Sequence, residues 1–598
     1  MLIALAAIVL LGGAGLYFKL SREVRAALSG PVKRSAPLRF LPLPDPVMKV
    51  ERWGGGEVAG VALTPSSLIT AGAFGVRDDR GDASASLPTL QASALALWRG
   101  EPAVGLTAGG LFLRRGGHWE EIRAGFGELH VRTLLESPGG ELLIGAREGL
   151  FKVAWGANTL DRLDTAPVQC IALGPGGVLI EGGETGLRRV EAGQVRALPS
   201  PDPWIQWVGL EGGDLLVVTP LGLARGPLEG TLAPVAGGEG VDSAALVDGK
   251  LYATDEGRLL SFEGAGRAAE SFLPSKPRRV MATAGALFVD TDAGLYRRSG
   301  GRWELARPRP PSLPPGSSHV GALASLDSKV VVGLFDQGLI IGDPSAPSWN
   351  WRAARGSAAW GVNALLPAGG SLYVASLRGA ARFDGRKLVP VGGGDAGAAF
   401  SLAATEGGVV VGYGQGVLLP DSHFLSAFHG LPGNQALALA QEPGGLLFVG
   451  TPTGLGAILG SRVAWRVASG DGRLPDPWVT SLTFFNGSLY IGTYGGGIIR
   501  RDVPATGRDA IGILEPFVET GGLKISAGCL VAMGGTLIAG TDGQGLYRLS
   551  ADGKRFVPLK APLPSPHITA ILPGKDGLFI GTDEGLARIP IPLPGEGG

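Results

Sequence analysis

Three histidines, His130, His319 and His567, each stand directly before a short apolar segment: His-Val-Arg-Thr-Leu, His-Val-Gly-Ala-Leu and His-Ile-Thr-Ala-Ile. Trp204, Trp360, Asn434 and Trp478 fall at or next to the same frame. If these segments are the innermost strands of a closed array, their first residues surround one mouth of a central channel. The second half of the chain then gathers His319, Trp360, Asn434, Trp478 and His567 at one mouth. Flat aromatic side chains beside hydrogen-bonding ones can stack on and orient a sugar or a peptide. The same residues can equally pack a half-buried strand end against a neighbouring sheet, a common use of amphipathic rings. A metal site on His319 and His567 lacks a carboxylate or third imidazole in the matching frame, so no metal is expected.

Linear signatures of catalysis are missing from the sequence: no G-x-S-x-G, no H-E-x-x-H and no G-x-x-x-x-G-K-[ST]. The Asp-box of sialidase-like propellers is approached only by Ser550-Ala-Asp552-Gly553, which reads as a hairpin turn. Glu148, Asp292, Asp542 and Asp583 sit singly in turns, where a carboxylate caps the turn. Calcium would need several oxygen ligands at fixed loop offsets. Neither cofactor nor catalytic residue is therefore expected, and the chain reads as a non-enzyme.

What must position the mouth residues is a repeat. Leu578-Phe-Ile-Gly-Thr-Asp-Glu-Gly-Leu586, Leu447-Phe-Val-Gly-Thr-Pro-Thr-Gly-Leu455 and Leu143-Ile-Gly-Ala-Arg-Glu-Gly-Leu150 are its clearest copies. The glycine near the end of each frame recurs fourteen times between Gly75 and Gly585, about 39 residues apart, the length of four short strands and their turns. Ser137-Pro-Gly-Gly140, Gln441-Glu-Pro-Gly-Gly445 and Ser550-Ala-Asp-Gly553 supply the positive-φ turns that hairpins need. One four-stranded sheet cannot bury both faces alone, and radial closure lets each cover its neighbour while protecting sheet edges. Fourteen exceeds the four to eight blades of one ring, and halving gives seven. The proline-dense Arg307–Gly316 stretch marks the middle as a linker.

The fold class expected is all-β: two tandem seven-bladed β-propellers, at 48–307 and 317–593, joined by a linker at 308–316, with a tail at 594–598. The last unit lacks an evident fourth strand, and Met48-Lys-Val-Glu-Arg-Trp53 is available to complete it, which would lock the two halves together. Trp349 and Trp351, on an outer strand of the eighth unit, form an exposed contact patch or pack between blades.

The Leu-Phe-Ile-Gly-Thr-x-x-Gly-Leu frame, following a Val/Ile-x-x-Leu strand and a Pro-Gly-Gly or Asp-Gly turn, resembles the two-component regulator propeller repeat over residues 55 to 593. The resemblance implies a sensor region of the kind carried by bacterial membrane histidine kinases, with tandem seven-bladed propellers on the extracytoplasmic side, often facing saccharides. No kinase core or response-regulator segment follows the repeats, so phosphotransfer is not expected of this chain.

Leu2 to Phe18 is continuously apolar and reaches the lower length limit for a membrane-crossing helix. Residues 1–18 are read as a membrane anchor or a signal sequence, the uncleaved anchor being preferred, and 19–47, basic and proline-bearing, as a tether. Lys19, Arg22 and Arg25 follow the run and none precedes it, which by the positive-inside rule places the propellers in the cytoplasm; the family resemblance places them in the periplasm, and that side is preferred. Over 598 residues, 53 Lys and Arg balance 53 Asp and Glu, which lacks the basic footprint of a nucleic-acid binder. Two cysteines give no disulfide framework. Three functions are compatible: a membrane-anchored head that binds a saccharide, peptide or protein and acts through a partner; an assembly scaffold of an envelope complex; or a lyase or hydrolase whose residues converge from separate blades.

Overall fold

A computed structural model describes residues 34–593 apart from 47, 49, 192–193, 264–265, 272, 310–312, 314–317, 344–345, 347–350, 355–360, 392–396, 444 and 503–509. The apolar run at 2–18 lies outside these, as do Trp349, Trp360 and most of the expected linker. Among the described residues no helix is long and apolar enough to cross a membrane.

The repeat frame explains its own turn. In Thr582-Asp-Glu-Gly585 the Thr582 hydroxyl donates to the Gly585 carbonyl at 2.9 Å and accepts the Glu584 N–H at 3.3 Å. The same pair of bonds closes the turns at Thr291, Thr451 and Ser376. Gly585 adopts φ +149°, and a Cβ on it would lie 2.5 Å from the Trp53 carbonyl oxygen of the adjoining strand. A side chain there would part the third strand from the fourth.

The glycine before the threonine has a different task. A Cβ on Gly581 would lie 2.5 Å from Val320, which opens an innermost strand. Gly540 stands in the same relation to Ile568, Gly492 to Ile525 and Gly450 to Val479, at 2.5, 2.6 and 2.6 Å. Each missing side chain leaves the socket in which the next sheet's first apolar residue seats.

Among the described residues those sockets stack fourteen sets of four antiparallel strands, hereafter blades 1 to 14 in chain order. Their innermost strands contact in succession along two closed circuits. In the first ring, blades 1 to 7, Pro277–Thr283 of blade 7 returns to Val58–Thr64 of blade 1; in the second, Ile568–Gly574 of blade 14 returns to Val320–Leu326 of blade 8. This is a β-propeller-type fold. The core lies between blades: Ala438, Phe448 and Leu455 of blade 11 pack on Val479, Leu489 and Ile491 of blade 12.

Two segments near the N-terminus belong to blades. Glu51–Trp53 is the fourth strand of blade 14, Trp53 pairing with Leu586 and Glu51 with Arg588. Trp53 is 4% exposed, clusters with Val320 and Leu334 of blade 8, and meets Trp351 edge-on at 6.1 Å, so Trp351 packs between blades. The expected tether is corrected in part: Ser35–Pro42 is a strand between the outer strands of blades 2 and 3, joining them into one nine-stranded sheet. Ala36 and Leu38, alternating with exposed residues, are buried and give it a core-facing edge.

Candidate binding site at the mouth of the second ring

In each blade the residue before the innermost strand and the turn between the second and third strands lie at the same mouth. Tyr494 N–H donates to the Trp478 carbonyl, Asp542 N–H to that of Lys524, and Phe335 N–H to that of His319. This backbone pairing delivers side chains from both segments to the rim.

In the second ring, side chains from blades 12, 13 and 14 join into one network. The Trp478 and Tyr494 rings lie 4.7 Å apart at 33°, with Trp478 42% exposed. Asp476 accepts the Trp478 N–H at 3.0 Å and fixes the approach of the chain. Tyr494 Oη donates to Asp542 Oδ2 at 3.2 Å, and the His567 imidazole meets Asp542 Oδ1 through Nδ1 at 2.6 Å. Lys524 Nζ stands 5.2 Å from the Tyr494 ring centre, within cation–π range. Gly543, at φ +96°, leaves room for the imidazole, whose Cε1 lies 3.2 Å from where a Cβ would be.

Both Asp542 oxygens are thus engaged. The His567 bond, acting against burial, holds its carboxyl below the usual carboxylate range, and Tyr494 and Lys524 add to the effect. A charged Asp542 in turn orients His567 and leaves Nε2 directed away from the bond. The result is an exposed indole platform beside a phenol, an ammonium group, a carboxylate and an imidazole, all held by backbone turns. Such a set can stack on a ring and hydrogen-bond its substituents.

Of the five mouth residues singled out from sequence, the structure brings Trp478 and His567 together through Tyr494 and Asp542. His319 instead packs on Phe335, ring centres 5.3 Å apart, and Asn434 turns its Oδ1 to the Ala427 N–H at 2.8 Å. Asn434 therefore pins the loop carrying Phe428, which is 93% exposed. Trp360 lies outside the described residues. Among the described residues no three His, Cys, Asp or Glu side chains are grouped to hold a metal. Sequence reasoning missed Tyr494 and Lys524, and treated Asp542 as a turn cap. The available signal was the position after the threonine, which is Tyr494 in blade 12 and Asp542 in blade 13.

Neither a family model nor a curated protein matches the chain. Solved structures do. PorZ of Porphyromonas gingivalis, an essential bacterial surface component of the type-IX secretion system, is similar with a TM-score of 0.61 at 14% identity, over 90% of this chain and 87% of that one. An ancestral GH74 enzyme is similar with a TM-score of 0.63 at 14% identity, over 92% and 99%. The extracellular domain of a putative hybrid two-component system from B. thetaiotaomicron, at 14% identity, covers 94% and 83% with a TM-score of 0.39. At these identities the likeness concerns fold alone, and the class it defines is the β-propeller.

Proposed function

We propose that the chain is a pair of seven-bladed β-propellers, held on the extracytoplasmic face of a membrane by residues 2–18, that binds a saccharide or peptide at the second ring and acts through a partner protein. The two contact circuits of seven blades each support the propeller count, with boundaries near 48–307 and 317–593. The observation carrying the binding role is the unbroken network Trp478–Tyr494–Asp542–His567, which crosses three blades at one mouth with its indole exposed. A packing role alone would not leave that indole open to solvent at the end of a pinned hydrogen-bond chain. The surface-component description of PorZ accords with this side of the membrane.

A hydrolase reading has one observation in its favour: Glu584, near His567, is lifted to about 7 by burial and by Asp583, while Asp542 is lowered. Carboxyls driven apart in this way can divide acid and base roles. The Glu584 Oε2 atom, however, is buried without a partner, and its carboxyl faces the backbone of Gln91 from the first ring. A half-buried carboxyl turned toward the first ring's backbone is poorly placed to reach a leaving group, so binding is the better reading.

The test is a glycan and peptide array probed with the full chain and with Trp478→Ala/His567→Ala. Signals lost in the double variant, with its melting temperature retained, support the site. An identical array pattern rejects it.

A further inference from the structure

The first ring encloses a cavity of about 1310 Å³ lined by the innermost strands of its blades, among them Val61, Leu95, Leu135, Ile171, Trp207 and Met281. Its rim carries Glu57, Gln169, Gln206, Asp242, Arg278 and Arg279. Most of these are engaged or neutral. Asp242 accepts the Thr254 hydroxyl at 2.6 Å, and Arg278 pairs with Asp292 at 2.5 Å and stands 3.9 Å from Glu57. Arg279 is different: its guanidinium has no hydrogen-bond or ion-pair partner among the described residues. Its cross-strand neighbour Asp290 is already committed to Arg309 and the Val58 N–H.

The register shows how unusual this position is. Arg279 pairs across its blade with Asp290, next to the last residue of the second strand. The corresponding pairs are Gly60 with Ala71, Ala94 with Gly105, Thr133 with Gly145, Cys170 with Gly182 and Ser243 with Thr254. In the second ring they include Ala322 with Gly333, Ala364 with Ala375, Ser401 with Gly412, Ser481 with Gly492 and Ala570 with Gly581. Small residues suit a position crowded by the next blade. Trp207, paired with Val218, is the other large exception in the first ring, and it lines the same cavity. Its indole reaches over Gly209, where a Cβ would lie 2.4 Å from Cη2. The first ring thus departs from its own repeat twice, once with a flat aromatic and once with a cation, and both departures line one cavity.

Arg279 is exposed, lines the channel, and has Glu57 and Asp290 as its nearby carboxylates. No described side chain of the ring occupies the fork, whereas an oxyanion would form two parallel charge-assisted hydrogen bonds with it.

We propose that the first-ring channel is a second binding site, taking a compact oxyanion borne on a ring, with the anion on Arg279 and the ring face against Trp207. The site is separate from the Trp478 network and does not depend on it. A carboxylate or a phosphate could supply the anion, and the test separates them.

The full chain is titrated calorimetrically with D-glucuronate, D-glucose 6-phosphate and D-glucose, alongside Arg279→Met, Trp207→Leu and Trp478→Ala. The expected result is binding of one or both anionic sugars and none of glucose. Arg279→Met should weaken it about tenfold or more, Trp207→Leu less, and Trp478→Ala not at all. The ligand-free melting temperature of Arg279→Met should stay close to that of the wild type, because an exposed guanidinium without a structural partner is removed. Failure of both anionic sugars to bind overturns the proposal, as does undiminished affinity in Arg279→Met. So does a fall of more than about 3 °C in that variant's ligand-free melting temperature, which would make the guanidinium structural.

Discussion

The two circuits of innermost strands close by different chemistry. The second ring closes with backbone: Glu51–Trp53 crosses from the start of the chain to complete blade 14, and Val320 fills the socket over Gly581. The first ring closes with side chains. At the place where blade 14 has Gly581, blade 7 has Asp290, whose Oδ2 accepts the Val58 N–H at 3.1 Å. Arg309 binds both Asp290 oxygens and the Gly56 carbonyl, and its guanidinium lies 4.9 Å from the Phe74 ring centre. Arg307 reaches Asp79 and the Leu68 carbonyl of blade 1, each at 2.6 Å. All four strands of blade 7 come from one continuous segment, so no strand is shared across the seam and polar clamps hold it. Because the second ring's closing strand is contributed by chain that precedes the first ring, the two halves are coupled covalently at both ends.

This contrast can be broken from either side. Trp53→Ala removes a buried indole from the second-ring seam and should cost about 3–5 kcal/mol. In calorimetry the loss should fall on the transition of the second ring, although residue 53 adjoins the first ring in sequence; a loss confined to the first ring would contradict the shared strand. Arg309→Met strands Asp290, 1% exposed on its side chain, without its cation and should cost about 3 kcal/mol on the first ring. Replacing Asp290 and Arg309 together by apolar residues should recover much of that loss, and a double variant as unstable as the single one would show that the clamp is not an isolated pair.

The rings also separate by pH. Glu181, fully buried between blades of the first ring, is lifted to about 8 by burial and by its hydrogen bond to Asp164, while Arg188 contacts both carboxyls. The folded state therefore holds a proton that the unfolded chain releases above its ordinary 4.5. The stabilisation is fully present below that value and fades as pH rises toward 8, by at most about 1.4 kcal/mol per unit. Asp164 is lowered, so its own contribution is lost only in acid, outside this window. Glu181→Gln should flatten the decline of the first-ring melting temperature between pH 5 and pH 8, measured by differential scanning calorimetry. An unchanged slope would remove Glu181 as its source.

The blades were legible because the Gly-Thr-x-x-Gly frame encodes two contacts at once, the socket at Gly581 and the turn at Thr582 to Gly585. The first-ring seam was not legible. Arg307 and Arg309 lie where proline spacing suggests a linker, and nothing in a linear reading aims them at blade 1. Ser35–Pro42 was obscured by its prolines and basic neighbours, although Ala36 and Leu38 alternate as a strand does. Arg501, fully buried with its guanidinium 5.0 Å from the Phe448 ring centre and bonded to the Ile511 and Ala510 carbonyls, shows the same limit, since an arginine in an outer region reads as surface. At the mouth, the strand frame picked out Trp478 and His567, whereas Tyr494 was missed and Asp542 was read only as a turn cap, because turn positions vary freely between copies.

The mouths also differ. Pro201-Asp-Pro-Trp204 and Pro475-Asp-Pro-Trp478 occupy the fifth blade of their rings, and in both the aspartate accepts the tryptophan N–H. Trp204 is 50% exposed and stacks on no ring among the described residues; Pro220, Glu256 and Lys276 stand where the second ring has Tyr494, Asp542 and His567. The same tryptophan is presented twice and supported by a network once. The most direct measurement is the affinity of an array-identified glycan or peptide for Trp478→Ala and Trp204→Ala side by side. A loss of about tenfold or more in Trp478→Ala with Trp204→Ala within about twofold of the wild type is the result expected; equal affinities in the two variants would contradict the site.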